Sequence, residues 1–287
     1  MISSITLTTS STDVTLHSTA IGSNAVVVRA EGLQGTPQVR NIITPRSQAS
    51  GAFIRSKYTD ERTITLEGEI VDTTIEAAFD RFDDISKAIY DTITTERTLK
   101  WRRDATGQQL QAGVRLSEFQ PLTLTDGAPW IKYQVTFKCA DPRVYDQTQT
   151  TGTGAVLAAA AGGKTYTYTY RRSYSPSSGG SVSYTNSGSV PTPPVIRVYG
   201  YCTSPQVVLD ANTKLVFTGE VADGDYLEID AAARTVKLNG TTSRLNLLDV
   251  TQSTFFALPT GTGTVRLVAS NFNANARADL IYRSAFT

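Results

Sequence analysis

The chain has 287 residues, enough for two domains that each bury a core, and its 27 Lys and Arg nearly balance its 26 Asp and Glu. That balance sets up no long-range field to gather nucleic acid or an anionic membrane, so neither is an expected partner. One histidine and two cysteines supply too few donors for a four-ligand zinc site, and only one imidazole for acid–base or nucleophilic chemistry.

The first residues, Met1-Ile2-Ser3-Ser4-Ile5-Thr6, lack the basic and apolar regions of a secretory signal. No apolar run approaches the roughly 20 residues that cross a bilayer; the small apolar stretch at 155–161 is too short. The expectation is a chain soluble as synthesised. Thr, Ser, Val and Tyr dominate in short alternating segments, which predicts a mainly β protein. Strands are expected at 4–9, 14–17 and 25–30. Residues 32–51 carry Gly, Pro, Ser and Gln with little periodicity and read as a long exposed loop, of the kind that is either functional or disordered.

The stretch 61–145 holds the most information. In 63–70, Ile64, Leu66 and Ile70 face one way while Thr65, Glu67 and Glu69 face the other, as a half-buried antiparallel strand requires. The period then changes. Ile75, Ala78, Phe79, Phe82, Ile85, Ile89 and Ile93 recur at three- and four-residue steps and predict one amphipathic helix over 75–93. Thr73 and Glu76 have the spacing of a capping box, and Asp72 adds negative charge at the helix start. Strands 98–101 and 110–116 should pair across Asp104-Ala105-Thr106-Gly107. A last strand, 130–139, stops before Pro142.

Cys139 continues the apolar face of that strand after Ile131, Tyr133, Val135 and Phe137, which makes a buried free thiol the favoured reading; a disulfide to Cys202 stays open. The arginine pairs Arg102-Arg103 and Arg171-Arg172 read as solvated or interface charges. Residues 147–194 hold Thr-Gly repeats, an Ala run, the alternation Tyr166, Tyr168, Tyr170 and the prolines Pro191, Pro193 and Pro194. They read as a linker that adds one or two strands at the margin of a second domain. From 195 onward strands are expected at 195–199, 206–209, 214–218, 226–229, 235–238, 254–258 and 265–269. Turns fall at Asp223-Gly224, Asn239-Gly240 and Gly261-Thr262-Gly263, a spacing that suits a sandwich or jelly roll. The domain division is then 1–146, a linker 147–194, and 195–287.

Catalytic chemistry finds little support. His17 sits in an early strand with no Gly-x-Ser-x-Gly elbow in the chain, and reads as structural. Glu67 and Glu69 are neighbours on one strand face, where a glycosidase pair would need to flank a cleft. Asp223, Asp225 and Asp230 surround a hairpin without the calcium-loop pattern, and no phosphate-binding glycine loop occurs. No catalytic, cofactor-binding or metal site is expected, and no ligand-binding residue is assigned.

The strand 63–70, the single helix, the hairpin after Arg97-Thr98-Leu99 and the ending Val135-Thr136-Phe137-Lys138-Cys139-Ala140-Asp141-Pro142-Arg143-Val144-Tyr145 resemble the N-terminal domain of siphophage distal tail proteins. Asn186-Ser187-Gly188 and Pro194-Val195-Ile196-Arg197-Val198-Tyr199-Gly200 resemble the entry to that family's C-terminal sandwich. Its hairpin resembles Gly224-Asp225-Tyr226-Leu227-Glu228-Ile229-Asp230 with Arg234-Thr235-Val236-Lys237-Leu238-Asn239-Gly240. The resemblance covers most of the chain beyond about Ala25; the Tyr-rich segment 155–184 departs from it.

The resemblance implies a β-sandwich-like N-terminal ring domain and an outward, galectin-like or carbohydrate-module-like C-terminal sandwich. It also implies a ring, usually a hexamer, between tail tube and tip or baseplate hub, with tube, tail-tip lysin-like and receptor-binding or side-fibre proteins as partners. It places the protein in the virion, after assembly in the bacterial cytoplasm. On this reading residues 32–51 form an inter-subunit arm. The competing reading is a carbohydrate-binding protein that uses Trp130, Tyr199, Tyr201 or the Tyr166 row, and a glycoside hydrolase using Glu67 and Glu69 ranks last.

Overall fold

The computed structural model describes residues 2–10, 12–19, 24–103, 107–124, 129–156 and 179–287. It divides into two compact units. The first holds Met1–Gln147 with Phe286–Thr287, and the second Thr148–Ala285.

The first unit contains β1 (Ser4–Thr8), β2 (Asp13–Ser18), β3 (Ala25–Glu31), β4 (Val39–Pro45), β5 (Ala52–Thr59), β6 (Arg62–Val71), α1 (Ile75–Tyr90), β7 (Arg97–Arg102), β8 (Gln109–Leu124), β9 (Trp130–Cys139) and β10 (Val144–Asp146). The main sheet runs β2-β1-β7-β8-β9-β6-β3. β8 turns the sheet on itself: its first half pairs with β7 and its second half, beyond Val114, pairs with β9 through two bulges. The inward positions of β6 and β9 alternate as the sequence predicts, and Ile64, Leu66, Tyr133, Val135, Phe137 and Cys139 are buried with Ile5, Leu7, Leu99 and Trp101. At Gly68 the alternation lacks a side chain because the Tyr133 ring occupies the space; a Cβ there would lie 2.6 Å from Tyr133 Cε1.

α1 packs on β9, β6, β8 and β2. It is shorter than the predicted 75–93. Its N-cap is Thr74, whose hydroxyl accepts from the Ala77 N–H at 3.2 Å, so the capping pair is Thr74–Ala77 and not the Thr73–Glu76 box. At the other end Asp91 caps the helix and takes Arg97 at 2.8 Å, while the Thr92 hydroxyl donates to the Ile89 carbonyl at 2.6 Å. Ile93 therefore falls outside the helix and is exposed. The sheet covers only Ala78, Ile85, Ala88 and Ile89, with Phe82 half-buried against Phe119, so the predicted stripe is wider than its seat.

The loop expected at 32–51 is a correction. Only 32–38 and the tip 46–51 are irregular; β4 and β5 pair antiparallel from Val39↔Thr59 to Pro45↔Ala52 and form a two-stranded sheet of their own. Among the described side chains none of that hairpin belongs to a buried core, so no apolar–polar alternation marks it in the sequence.

The second unit contains β11 (Thr150–Val156), β12 (Gly179–Asn186), β13 (Val195–Tyr199), β14 (Cys202–Thr203), β15 (Gln206–Val208), β16 (Lys214–Val216), β17 (Glu220–Val221), β18 (Tyr226–Asp230), β19 (Thr235–Leu238), β20 (Thr242–Ser243), β21 (Gly261–Val268), β22 (Asn271–Phe272), β23 (Arg277–Tyr282) and the start of β24 (Ala285–Phe286). Its sheets run β11-β23-β13-β18-β19-β20, β12-β21-β15-β16 and β17-β14-β22, around one core that includes Tyr184, Val198, Phe217, Leu227, Leu258 and Leu280. The stretch read as a linker supplies two edge strands here, β11 and β12; residues 157–178, with Tyr166, Tyr168 and Tyr170, lie outside the described residues.

Two further expectations change. Residues 254–258 run past without a ladder: the Thr254 N–H reaches the Lys214 carbonyl, and Leu258 exchanges backbone hydrogen bonds with Thr192 in an isolated bridge. Gly261-Thr262-Gly263 is strand, not turn. Gly263 is there because the Tyr184 ring crosses it, and a Cβ would lie 2.6 Å from Tyr184 Cζ. At Asn239-Gly240 both residues have positive φ and the Thr241 N–H donates to the Leu238 carbonyl, the type I′ turn that the dipeptide predicts.

Candidate assembly surfaces

The structure brings the sequence-predicted candidates to no common site. His17 is buried between strands: its Nε2 lies 3.1 Å from the Ile2 carbonyl and so carries the proton, while Nδ1 accepts from the Val27 N–H at 3.0 Å. It ties β2 to β3 and faces no nucleophile. Glu67 and Glu69 lie on the outer face of β6, beside Arg29 at 3.5 Å and Lys132 at 2.7 Å, as solvated cross-strand pairs without a cleft. Asp223 and Asp225 accept from Asn273 and Asn239, each at 2.8 Å, and Asp230 caps the turn at Ala232 and Ala233. Among the described residues no three His, Cys, Asp or Glu side chains converge as metal ligands would.

Cys139 and Cys202 are both buried free thiols, one in each unit. Burial pushes Cys139 up to about 12 and Cys202 up to about 11, so neither is a thiolate near neutral pH.

Two of the aromatic residues considered for sugar binding, Tyr199 and Trp130, have a cation over the ring. Arg277 lies over Tyr199 at 4.5 Å and Arg197 over Tyr226 at 5.6 Å, with the two rings 5.5 Å apart. Lys132 covers Trp130 at 5.1 Å. In the next register row Asp279, Arg197, Glu228 and Lys237 stand side by side across β23, β13, β18 and β19, and Arg197 donates to Glu228 at 2.9 Å. A sheet face compensated internally in this way leaves little ring surface on which a sugar would stack.

What sequence reasoning missed is the hairpin and its anchor. Arg62, 2% exposed, donates from Nε to the Pro142 carbonyl at 2.9 Å and from Nη1 to the Gly32 carbonyl at 2.7 Å. Burial lowers the pKa of this guanidinium from its ordinary value. Gly32 has φ +78°, and a Cβ there would collide with the Thr63 carbonyl, so the chain presses on β6 just before it leaves for the hairpin. The Asp60 N–H closes the hairpin base on the Gln38 carbonyl at 2.8 Å, and Arg40 pairs with Asp60. Beyond that base Ile42, Ile43, Phe53 and Tyr58 are between 47% and 61% exposed. A two-stranded hairpin without a covered face is marginal in water.

Residues 187–286 match the family model described as the siphovirus-type tail component, C-terminal domain. The fold of the whole chain is similar to that of the SPP1 Dit (gp 19.1) protein, described as a paradigm of the hub adsorption apparatus in phages infecting Gram-positive bacteria. The TM-score is 0.66 at 14% identity, over 99% of each chain. It is also similar to a chain of the phage P2 baseplate in its activated conformation with Ca, with a TM-score of 0.55 at 14% identity over 99% of this chain and 98% of that one. The same baseplate with Sr gives 0.53 at 13%, over 97% of each. No curated protein matches the sequence.

Proposed function

We propose that this chain is a distal tail protein, a structural part of the virion that joins the tail tube to the tip or baseplate hub. Copies of the first unit close a ring, a homohexamer, and the hairpin β4–β5 is the arm by which each copy holds its neighbour. The second unit carries the attachment of further tip or receptor-binding components. Assembly takes place in the cytoplasm of the host bacterium, and the protein performs no catalysis.

The carrying observation is the hairpin. Its side chains Ile42, Ile43, Phe53 and Tyr58 are exposed within their own unit, and each is worth on the order of 1 kcal/mol when buried. Heterologous contacts of this kind generate rings when the rotation closes. The family match over residues 187–286 and the likeness of fold along the whole chain support the same reading. The carbohydrate-binding alternative has less support, because Arg277 lies over Tyr199 and Lys132 over Trp130.

The test is mass photometry and negative-stain imaging of the full chain, alone and beside a tail tube protein. Annular particles of six copies are expected. Replacing residues 39–59 by a short Gly-Ser link should abolish them while the second unit stays folded. Dispersed single copies under every condition would overturn the ring, and rings that persist without the hairpin would overturn the arm.

A further inference from the structure

The hairpin and the exposed flank of α1 are complementary in both apolar surface and charge. Residues 32–59 contain Arg40, Arg46, Arg55 and Lys57 and no carboxylate, in a chain that is otherwise nearly neutral. Arg40 is engaged at the base by Asp60, and Arg46 sits over the Phe53 ring at 5.0 Å near the tip, so cationic and apolar groups share the arm's surface.

The helix offers the counterpart. Ile75, Phe79 and Tyr90 follow one another at four and eleven residues, close to whole turns, and form a line beside the buried stripe. They are between 42% and 55% exposed. Their line runs on to the aromatic cluster at Phe119, which stacks on Phe82 at 5.8 Å and meets Tyr90 at 6.0 Å. At 100° per residue Asp83 and Glu76 border the line on its solvent side, with Asp80 just beyond. Lys87 is taken by Asp84 at 3.7 Å and Arg81 by Asp72 at 3.3 Å, whereas Glu76, Asp80 and Asp83 have no ion-pair partner among the described residues. β4 and β5 pair with each other and form no sheet with any strand that seats α1, so a copy does not satisfy its own helix.

We propose that the flank of α1 formed by Ile75, Phe79 and Tyr90 and bordered by Glu76, Asp80 and Asp83 is the seat for the β4–β5 hairpin of a second copy of this chain. The contact rests on the ring reading above and adds to it the surface that receives the arm. Exposed apolar groups of the hairpin cover the apolar line, and the hairpin, with basic residues and no carboxylate, meets the acidic border. The charges set register and orientation, and they make assembly sensitive to salt. Because the arm and its seat are different surfaces of the same unit, the contact is head-to-tail and propagates from copy to copy.

The experiment reverses each side and then both, in the full chain. R46E/R55E/K57E and E76K/D80K/D83K should each raise the concentration needed for annular particles by roughly tenfold or more, and the combined six-fold variant should recover most of that loss. Thermal melts of each variant, read by circular dichroism, establish that the units remain folded. As a second measurement, wild-type assembly should weaken steadily as sodium chloride is raised. If either reversed variant assembles like wild type, or the combined variant does no better than its parents, or assembly is indifferent to salt, this contact is wrong while the ring stands. If the wild type never assembles, the ring reading falls and takes this contact with it.

Discussion

Replacing Arg62 by methionine tests whether the hairpin is anchored as described. The guanidinium gives hydrogen bonds of 2.9 Å to the Pro142 carbonyl and 2.7 Å to the Gly32 carbonyl, and the side chain is almost wholly buried. Charged hydrogen bonds of this kind contribute roughly 1.5–3 kcal/mol each. Methionine fills similar volume and removes the cost of holding a cation out of water, which offsets part of the loss. It also leaves two carbonyls without their donor. The net expectation is a destabilisation of about 2–3 kcal/mol, which for a unit of this size lowers its Tm by roughly 5–10 °C. Differential scanning calorimetry of the full chain should show the loss in the transition assigned to the first unit, with the second unchanged. Ring formation should fall with it, because Gly32 begins the path to the arm. An R62M protein with an unshifted transition would refute the reasoning, by showing that the buried guanidinium is no better than a thioether at this position.

Two other perturbations read out the cores. Gly263→Ala places a Cβ against the Tyr184 ring and should cost about 1–3 kcal/mol in chemical denaturation, since the ring packs on Tyr282 at 6.3 Å and has little room to yield. Both thiols should resist a disulfide-exchange reagent at pH 8 in the native protein and react at once in denaturant. Their pKa values, raised by burial from 9 to about 12 for Cys139 and about 11 for Cys202, also fix a sign. Above pH 9 the unfolded chain releases thiol protons that the folded chain keeps, so stability falls as pH rises, by up to about 1.4 kcal/mol per pH unit for each thiol until its folded pKa is reached. A C139A/C202A variant should lose stability less steeply between pH 9 and 11; an identical slope would contradict the burial.

The sequence by itself determined the elements whose side chains meet a core on one side only. The alternation Ile64, Leu66, Ile70 against Glu67, Glu69 and the run Ile131 to Cys139 read directly as strands, and the helix stripe read as a helix, because burial imposes period 2 or 3.6 on such segments. The Asn239-Gly240 turn was equally legible, since few residue pairs accept two positive φ values. Only the tertiary structure decided three other matters. It made residues 39–59 a hairpin, none of whose described side chains joins a buried core to impose a period. It made Gly263 a strand residue under Tyr184, when a glycine between threonines looks like a turn. It set Thr74 rather than Thr73 at the head of α1, since either hydroxyl has a plausible partner in sequence and only the backbone path chooses. The candidate assembly surfaces belong to this second class. Ile42 and Phe53 carry no period, and the helix stripe holds Ile75 and Phe79 without telling that the fold leaves them exposed, so these side chains stand out as candidates only in the structure.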